Sequence, residues 1–186
     1  MPATLLMGNC DNRAAFASVF PDAAQDAHGF VQSVVTLGGT ALFCLDSLDR
    51  EPDPKHSGVL CADRLGWLDA QLAACAASHR VVVAHHPPAA VGMAGPDRLR
   101  LRNGDALLDL LRAHGVDLLI CGHLHRPILA TLKGQSTAIL GSTAFDVALA
   151  TNSDAITPIF DVPPLYHVLL DTDAGPVLHC EQVPMA

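Results

Sequence analysis

Apolar runs alternate with turn signals along this chain, and the spacing inside each run predicts its element. Ala3 to Met7 is a short run ended by Gly8 and reads as a strand. Phe30 to Leu37 and Thr40 to Leu45 are rich in β-formers and separated by Gly38-Gly39, which predicts a hairpin. From Cys61 to Ala77, Leu65, Leu68, Leu72 and Cys75 recur at helical spacing, while Asp63, Arg64, Asp69 and Gln71 lie off the stripe. An amphipathic helix is expected there. Arg80 to Ala84 reads as a buried strand, Asn103 to His114 as a helix capped by Gly115, and Val116 to Cys121 as a second unbroken apolar strand. Strand, helix and strand in that order predict a parallel pair.

Beyond Pro127 the texture changes to short strand-like pieces at 128–132, 136–140, 166–170 and 177–179, with turns at Lys133-Gly134 and Ala174-Gly175. These predict an antiparallel meander. The polar, proline-rich stretch 150–164 reads as a long loop. With no repeat, low-complexity tract or linker, residues 1–186 are expected to form a single α/β domain.

Composition narrows the class. Half of the 186 residues are hydrophobic and 16% are charged, which excludes a disordered chain, and no apolar run approaches the 20 or so residues that a membrane span needs. The opening Met1 to Gly8 has no basic region ahead of a long apolar stretch, so the cytoplasm is the expected compartment. Eleven basic against 19 acidic side chains give a net charge of −8, which argues against binding a nucleic-acid duplex. An anionic substrate would then need local positive charge from metal ions or a small arginine cluster. Six cysteines without a C-x-x-C pair predict reduced thiols.

Three apolar strands each run directly into residues that can hold a metal: Gly8-Asn9-Cys10-Asp11, His85-His86-Pro87-Pro88 and Gly122-His123-Leu124-His125. In α/β sheets, ligands collect beyond the carboxyl ends of the strands, so the three segments are expected to meet. In an extended segment His123 and His125 would face one way and Leu124 the other. Imidazole nitrogens with an Asn carbonyl suit Mn, Fe, Co, Ni or Zn better than Ca or Mg.

These three blocks resemble the last three blocks of the calcineurin-like metallophosphoesterase superfamily. The text between them, including Gly29-Phe30-Val31-Gln32, Leu45-Asp46-Ser47 and Leu65-Gly66-Trp67-Leu68, is similar to the bacterial class III cyclic-nucleotide phosphodiesterase branch. The resemblance implies a four-layer α/β/β/α sandwich holding two divalent ions, and hydrolysis of phosphoesters, with cyclic 3′,5′-nucleotides or related diesters as substrates. It implies that Asn9, His85 and His123 bind one metal and His125 the other. Cys10 and Asp11 fall at the catalytic block, where most members have a histidine in place of Cys10. Arg13, His86, Ser142 and Thr143 are the candidate substrate-binding residues, and Phe145 stands where many members carry a histidine.

The family pattern opens with Asp-x-His and Gly-Asp blocks, and neither precedes Asn9. The expectation is therefore a family fold lacking its N-terminal portion, holding one metal or none by itself. Asp46, at a strand end, and Asp146, in a loop, are the internal carboxylates that could substitute for the ligands of those blocks, but solvated or capping roles are expected for both. Arg98, Arg100 and Arg102 read as a solvated face rather than a phosphate clamp. A sandwich short of its opening strands would expose a sheet edge and an apolar face, which predicts a homodimer. The competing reading is an impaired remnant that serves as a metal- or partner-binding module.

Overall fold

The computed structural model describes residues 3–51 and 53–183. In chain order the elements are α1 (Arg13–Val19), β1 (Ser33–Leu37), β2 (Thr40–Leu45), α2 (Ala62–Ala74), β3 (His79–Ala84), α3 (Ala94–Asp97), α4 (Gly104–Ala113), β4 (Leu118–Cys121), β5 (Ile128–Leu132), β6 (Gln135–Ile139), β7 (Asp146–Val147), β8 (Pro158–Ile159), β9 (Leu165–Thr172) and β10 (Gly175–Gln182). Six strands form one sheet in the order β1-β2-β3-β4-β6-β5. The expected hairpin is present, with Leu37 opposite Thr40 and Gly38 at φ +58° in the turn. Asp171 secures that turn from far along the chain, accepting from Gly39 N at 2.7 Å and Thr40 Oγ1 at 2.5 Å.

The central strands β2, β3, β4 and β6 are mutually parallel. Their carboxyl ends at Leu45, Ala84, Cys121 and Ile139 therefore lie along one edge, and the loops that follow them share one end of the sheet. Phe43, Leu45, Val82, Ala84, Leu119 and Cys121 turn toward α2 and α4, where Leu68, Leu72, Leu107, Leu108 and Leu111 close the main core. Residues of opposite parity, Leu118 and Ala138 among them, share a hollow of about 530 Å³ with Val177 and Leu178 of β10. The order of layers is thus helices, six-stranded sheet and β9–β10 hairpin. This is the α/β architecture expected; among the described residues, three of the four layers are present.

Several local expectations are corrected. Ala3 to Met7 is irregular: no strand pairs with it among the described residues, and only Met7 is driven fully inward, against Val31 and Leu48. The strands beyond Pro127 do not form one meander. Lys133 and Gly134 both take positive φ, 49° and 88°, closing a tight β5–β6 hairpin. That hairpin joins the main sheet through β6 and β4, while β9 and β10 pair only with each other. The loop 150–164 carries the short strand β8, paired with β7. Arg64, placed off the helical stripe, is buried because Nη1 donates to the carbonyls of Asp46 at 2.7 Å and Leu48 at 3.0 Å. Helix α1 follows from Asn12, whose side chain accepts from Ala15 N at 3.0 Å as an N-cap.

Candidate metal centre

The sheet end carries a histidine cluster. His85 and His86 follow β3 directly, His123 and His125 follow β4, and Asn9 arrives from the irregular opening segment. Asn9 Oδ1 lies 2.8 Å from His85 Nε2, and His85 Nε2 lies 3.2 Å from His123 Nδ1. Three donor atoms from segments far apart in sequence thus touch in one place. Gly8 makes this approach possible, since a Cβ there would meet the His85 ring at 3.1 Å.

The 123–125 segment is not extended, so the expected i, i+2 alternation does not hold there. His123 and His125 both adopt left-handed backbone, at φ +71° and +51°. Leu124 between them is buried in the main core, as expected, and anchors the bend. Left-handed backbone is costly for residues other than glycine and persists where the surroundings enforce it. His125 is held by its Nδ1, 3.2 Å from the Phe145 carbonyl, and by its ring, stacked 4.2 Å from the Phe145 ring.

His86 has no path to a substrate. It is fully buried, its Nδ1 is 2.8 Å from Ser47 Oγ and its Nε2 is 3.2 Å from the His56 carbonyl. His85, His86 and His123 have donor atoms within 4.8 Å of one another. Both nitrogens of His86 are already engaged, however, so the open donors are those of His85 and His123, with Asn9. The substrate-binding expectation for His86 is corrected to a packing role: its ring meets those of His85 and His123 at 4.8 Å each.

Burial holds all three imidazoles neutral. It pushes His85 down to about 4, His86 to about 2 and His123 to about 3, with neighbouring histidines adding to each shift. A neutral imidazole with a free lone pair is the form that binds a metal.

Asn9, Cys10, His123 and His125 line one cavity of about 400 Å³, together with His56 and an apolar wall. Two larger hollows, about 480 Å³ beside β1 and about 530 Å³ under β10, contain none of the candidate residues. Cys10 is exposed at this cavity, with Sγ 3.5 Å from Asn9 Nδ2.

Other candidates lie elsewhere. The Asp11 carboxylate accepts from Gly8 N at 2.7 Å, closing the turn that presents Asn9, and it lines a different hollow. Its place is structural rather than catalytic. Arg13 is turned away from the cluster: Nε and Nη2 of its guanidinium donate to the two oxygens of Asp46 at 2.7 and 2.8 Å, Nη2 also donates to the Leu48 carbonyl, and the residue lines a different hollow from Asn9 and His123. Ser142 and Thr143 are not among the cavity residues; Ser142 Oγ accepts from Ala144 N at 3.0 Å. Asp46 is fully buried and caps Val31 N and Leu48 N in addition to binding Arg13. It is a capping group, though not a solvated one.

One contributor has no counterpart in the sequence reading. His56, in the loop after β2, places Nδ1 3.0 Å from Asn9 Nδ2 and its backbone carbonyl on His86. The available signal was its position: the loop after β2 opens on the same sheet end as those after β3 and β4.

A parallel-centred sheet with imidazole and carboxamide donors beyond its carboxyl ends defines an α/β metallophosphoesterase. Residues 1–127 match the Calcineurin-like phosphoesterase family, and the chain belongs to it. It is 37% identical over 182 residues to a probable cyclic nucleotide phosphodiesterase of Rhodopseudomonas palustris, covering 96% of this chain and 66% of that protein. It is 29% identical over 140 residues to a cAMP/cGMP dual specificity phosphodiesterase of Mycobacterium tuberculosis, covering 75% of this chain and 43% of that one. The chain therefore spans just under two thirds of the first relative and less than half of the second. A dimetal phosphatase from Danio rerio shares the fold, with a TM-score of 0.56 and 16% identity over 87% of this chain and 67% of that one. Among the described residues no helix is long and apolar enough to cross a membrane.

Proposed function

We propose that the chain acts in metal-dependent hydrolysis of phosphodiesters, with cyclic 3′,5′-nucleotides or related diesters as substrates. The observation that carries this reading is the convergence of Asn9 Oδ1, His85 Nε2 and His123 Nδ1 within 3.2 Å contacts. Two neutral imidazoles and a carbonyl oxygen fit one borderline divalent ion such as Mn, Fe, Zn, Co or Ni. Among the described residues, His125, on the same cavity as Asn9 and His123, is the candidate donor toward a second ion. When bound, the metal would supply Lewis acidity and an activated water.

The chain's own residues do the rest. His85 and His123 present lone pairs at neutral pH. The buried Leu124 anchors the bend that carries His123 and His125. Cys10 stands at the cavity beside Asn9, where it can give its Sγ proton to a departing ester oxygen. The names of the relatives, probable cyclic nucleotide phosphodiesterase and cAMP/cGMP dual specificity phosphodiesterase, support the substrate class. Six unpaired cysteines are in keeping with a cytoplasmic location.

The test is metal content together with hydrolysis of bis(4-nitrophenyl) phosphate in added Mn. Wild-type turnover that His123→Ala abolishes is expected; turnover indifferent to His123→Ala overturns the site.

A second reading, a partner-binding module, is favoured by one observation. Leu129 is 88% exposed, and Tyr166, Leu170 and Val177 are exposed along β9 and β10. Apolar surface of this extent marks an association face. We infer that a second copy covers it, giving a homodimer. Light scattering after size exclusion checks this, and a monomer at tens of micromolar contradicts it.

A further inference from the structure

The cavity that holds Asn9, His123 and His125 has a wall that the chemistry above does not use. Pro96 and Leu99 border it from the α3 segment, and Phe145, Val147 and Ile156 from the chain around β7 and β8. This wall is built by specific contacts. Phe145 stacks on His125 and is backed by Phe160, whose ring centroid is 5.6 Å away. Gly95 brings α3 so near the Asp154 carbonyl that a Cβ at position 95 would collide with it. Arg98 ties the same loop through Asp154 Oδ2 at 2.8 Å.

Charge is as informative as shape. Among the described residues lining the cavity there is no Lys, Arg, Asp or Glu. The guanidinium groups that sequence spacing suggested for phosphate are committed elsewhere. Arg98 pairs with Asp154, Arg100 donates to the Asp97 carbonyl, Arg102 pairs with Asp49 and Ser57, and Arg13 pairs with Asp46. A phosphomonoester brings a second negative charge, for which the side chains of this lining offer no cationic partner. A diester replaces that charge with a second organic arm, for which the wall provides a place.

We propose that Phe145, Leu99 and Ile156 form a subsite for an uncharged planar arm of a phosphodiester, with the phosphoryl group at the Asn9 and His123 side of the same cavity. This rests on the phosphodiesterase reading and adds to it: the wall selects the alcohol portion, and an aromatic ring or a base occupies it better than a small alkyl group. Covering an apolar face with a ring favours the aryl arm about tenfold over methyl through area and stacking together.

Saturation-transfer NMR titration of the metal-free protein with diphenyl phosphate and with dimethyl phosphate tests this. The wild-type chain is expected to bind diphenyl phosphate about tenfold tighter. Phe145→Ala and, separately, Ile156→Ser should each shrink that ratio, with urea midpoints verifying that the variants are folded. Phe145→Leu keeps bulk without a planar face and should fall between. Equal affinity for the two probes in the wild-type chain, or a preference that survives both Phe145→Ala and Ile156→Ser, overturns the proposal. Hydrolysis of bis(4-nitrophenyl) phosphate in Mn, run alongside, separates the two claims. No turnover with the aryl preference intact removes the phosphodiesterase reading and leaves the apolar subsite standing. Turnover with no aryl preference removes the subsite alone.

Discussion

The carboxamide oxygen of Asn9 rests 2.8 Å from His85 Nε2 while its amide nitrogen rests 3.0 Å from His56 Nδ1. Asn9 donates to His56, which fixes the His56 proton on Nε2 and aims the Asn9 oxygen at the histidine pair. His56 is thus a positioning residue for a proposed metal ligand. Groups that orient ligands in this way are worth about 10–100-fold in metal affinity. His56→Ala should weaken Zn or Mn binding by that factor in a chelator-competition titration, with the urea midpoint little changed. Unaltered affinity would show that Asn9 orients without help.

Acid should destabilise this protein earlier than its carboxylates alone would. Folded His85, His86 and His123 lie at about 4, 2 and 3, below the ordinary value of 6.5. Between those limits the unfolded chain binds protons that the folded chain refuses. Stability is therefore full above pH 6.5 and falls as pH drops toward 4, by up to about 1.4 kcal/mol per pH unit for each histidine. Urea midpoints at pH 7.5, 6.0 and 5.0 should decline steadily, and His86→Asn should reduce the slope. A flat profile from 7.5 to 5.0 would contradict the burial argument.

Asp46 makes a prediction that separates structure from chemistry. Its side chain is inaccessible to solvent and receives Arg13, Val31 N and Leu48 N, with Arg64 Nη1 at 3.9 Å. Removing one partner of a buried ion pair costs about 3–5 kcal/mol, because the remaining charge stays desolvated. Asp46→Asn should lose about that much in chemical denaturation while the folded fraction keeps its metal stoichiometry. Loss of metal at unchanged stability would instead make Asp46 a ligand.

The legibility of the sequence varied with the kind of signal. Strands β2, β3 and β4 were readable because burial on both faces leaves continuous apolar runs. Asn9, His85 and His123 were readable because each follows such a run, or a short apolar one, at a glycine or proline punctuation. Two failures share one cause. Arg13 and Arg64 looked free for solvent or phosphate because their acceptors, the Asp46 carboxylate and the carbonyls of Asp46 and Leu48, lie far away in sequence. His56 was invisible for the same reason, since nothing in its local pattern reports an Asn that precedes it by 47 residues. The left-handed backbone at His123 and His125 is likewise imposed by tertiary contacts, the burial of Leu124 and the stack on Phe145.

Cys10 supplies the sharpest test of mechanism. It is exposed on the same cavity as Asn9 and His123, and the proposed mechanism makes its thiol the proton donor to a departing oxygen. General acids contribute where the leaving group is a poor one, typically about 10²–10⁴-fold, and contribute little where the anion departs unaided. Cys10→Ala should therefore slow diesters with alkoxide leaving groups by about 10²-fold and leave 4-nitrophenyl esters nearly unaffected. Cys10→His should restore the alkyl substrates. If both substrate classes slow equally, the thiol acts by holding the Asn9 turn in place, and the proton for the leaving oxygen comes from another group.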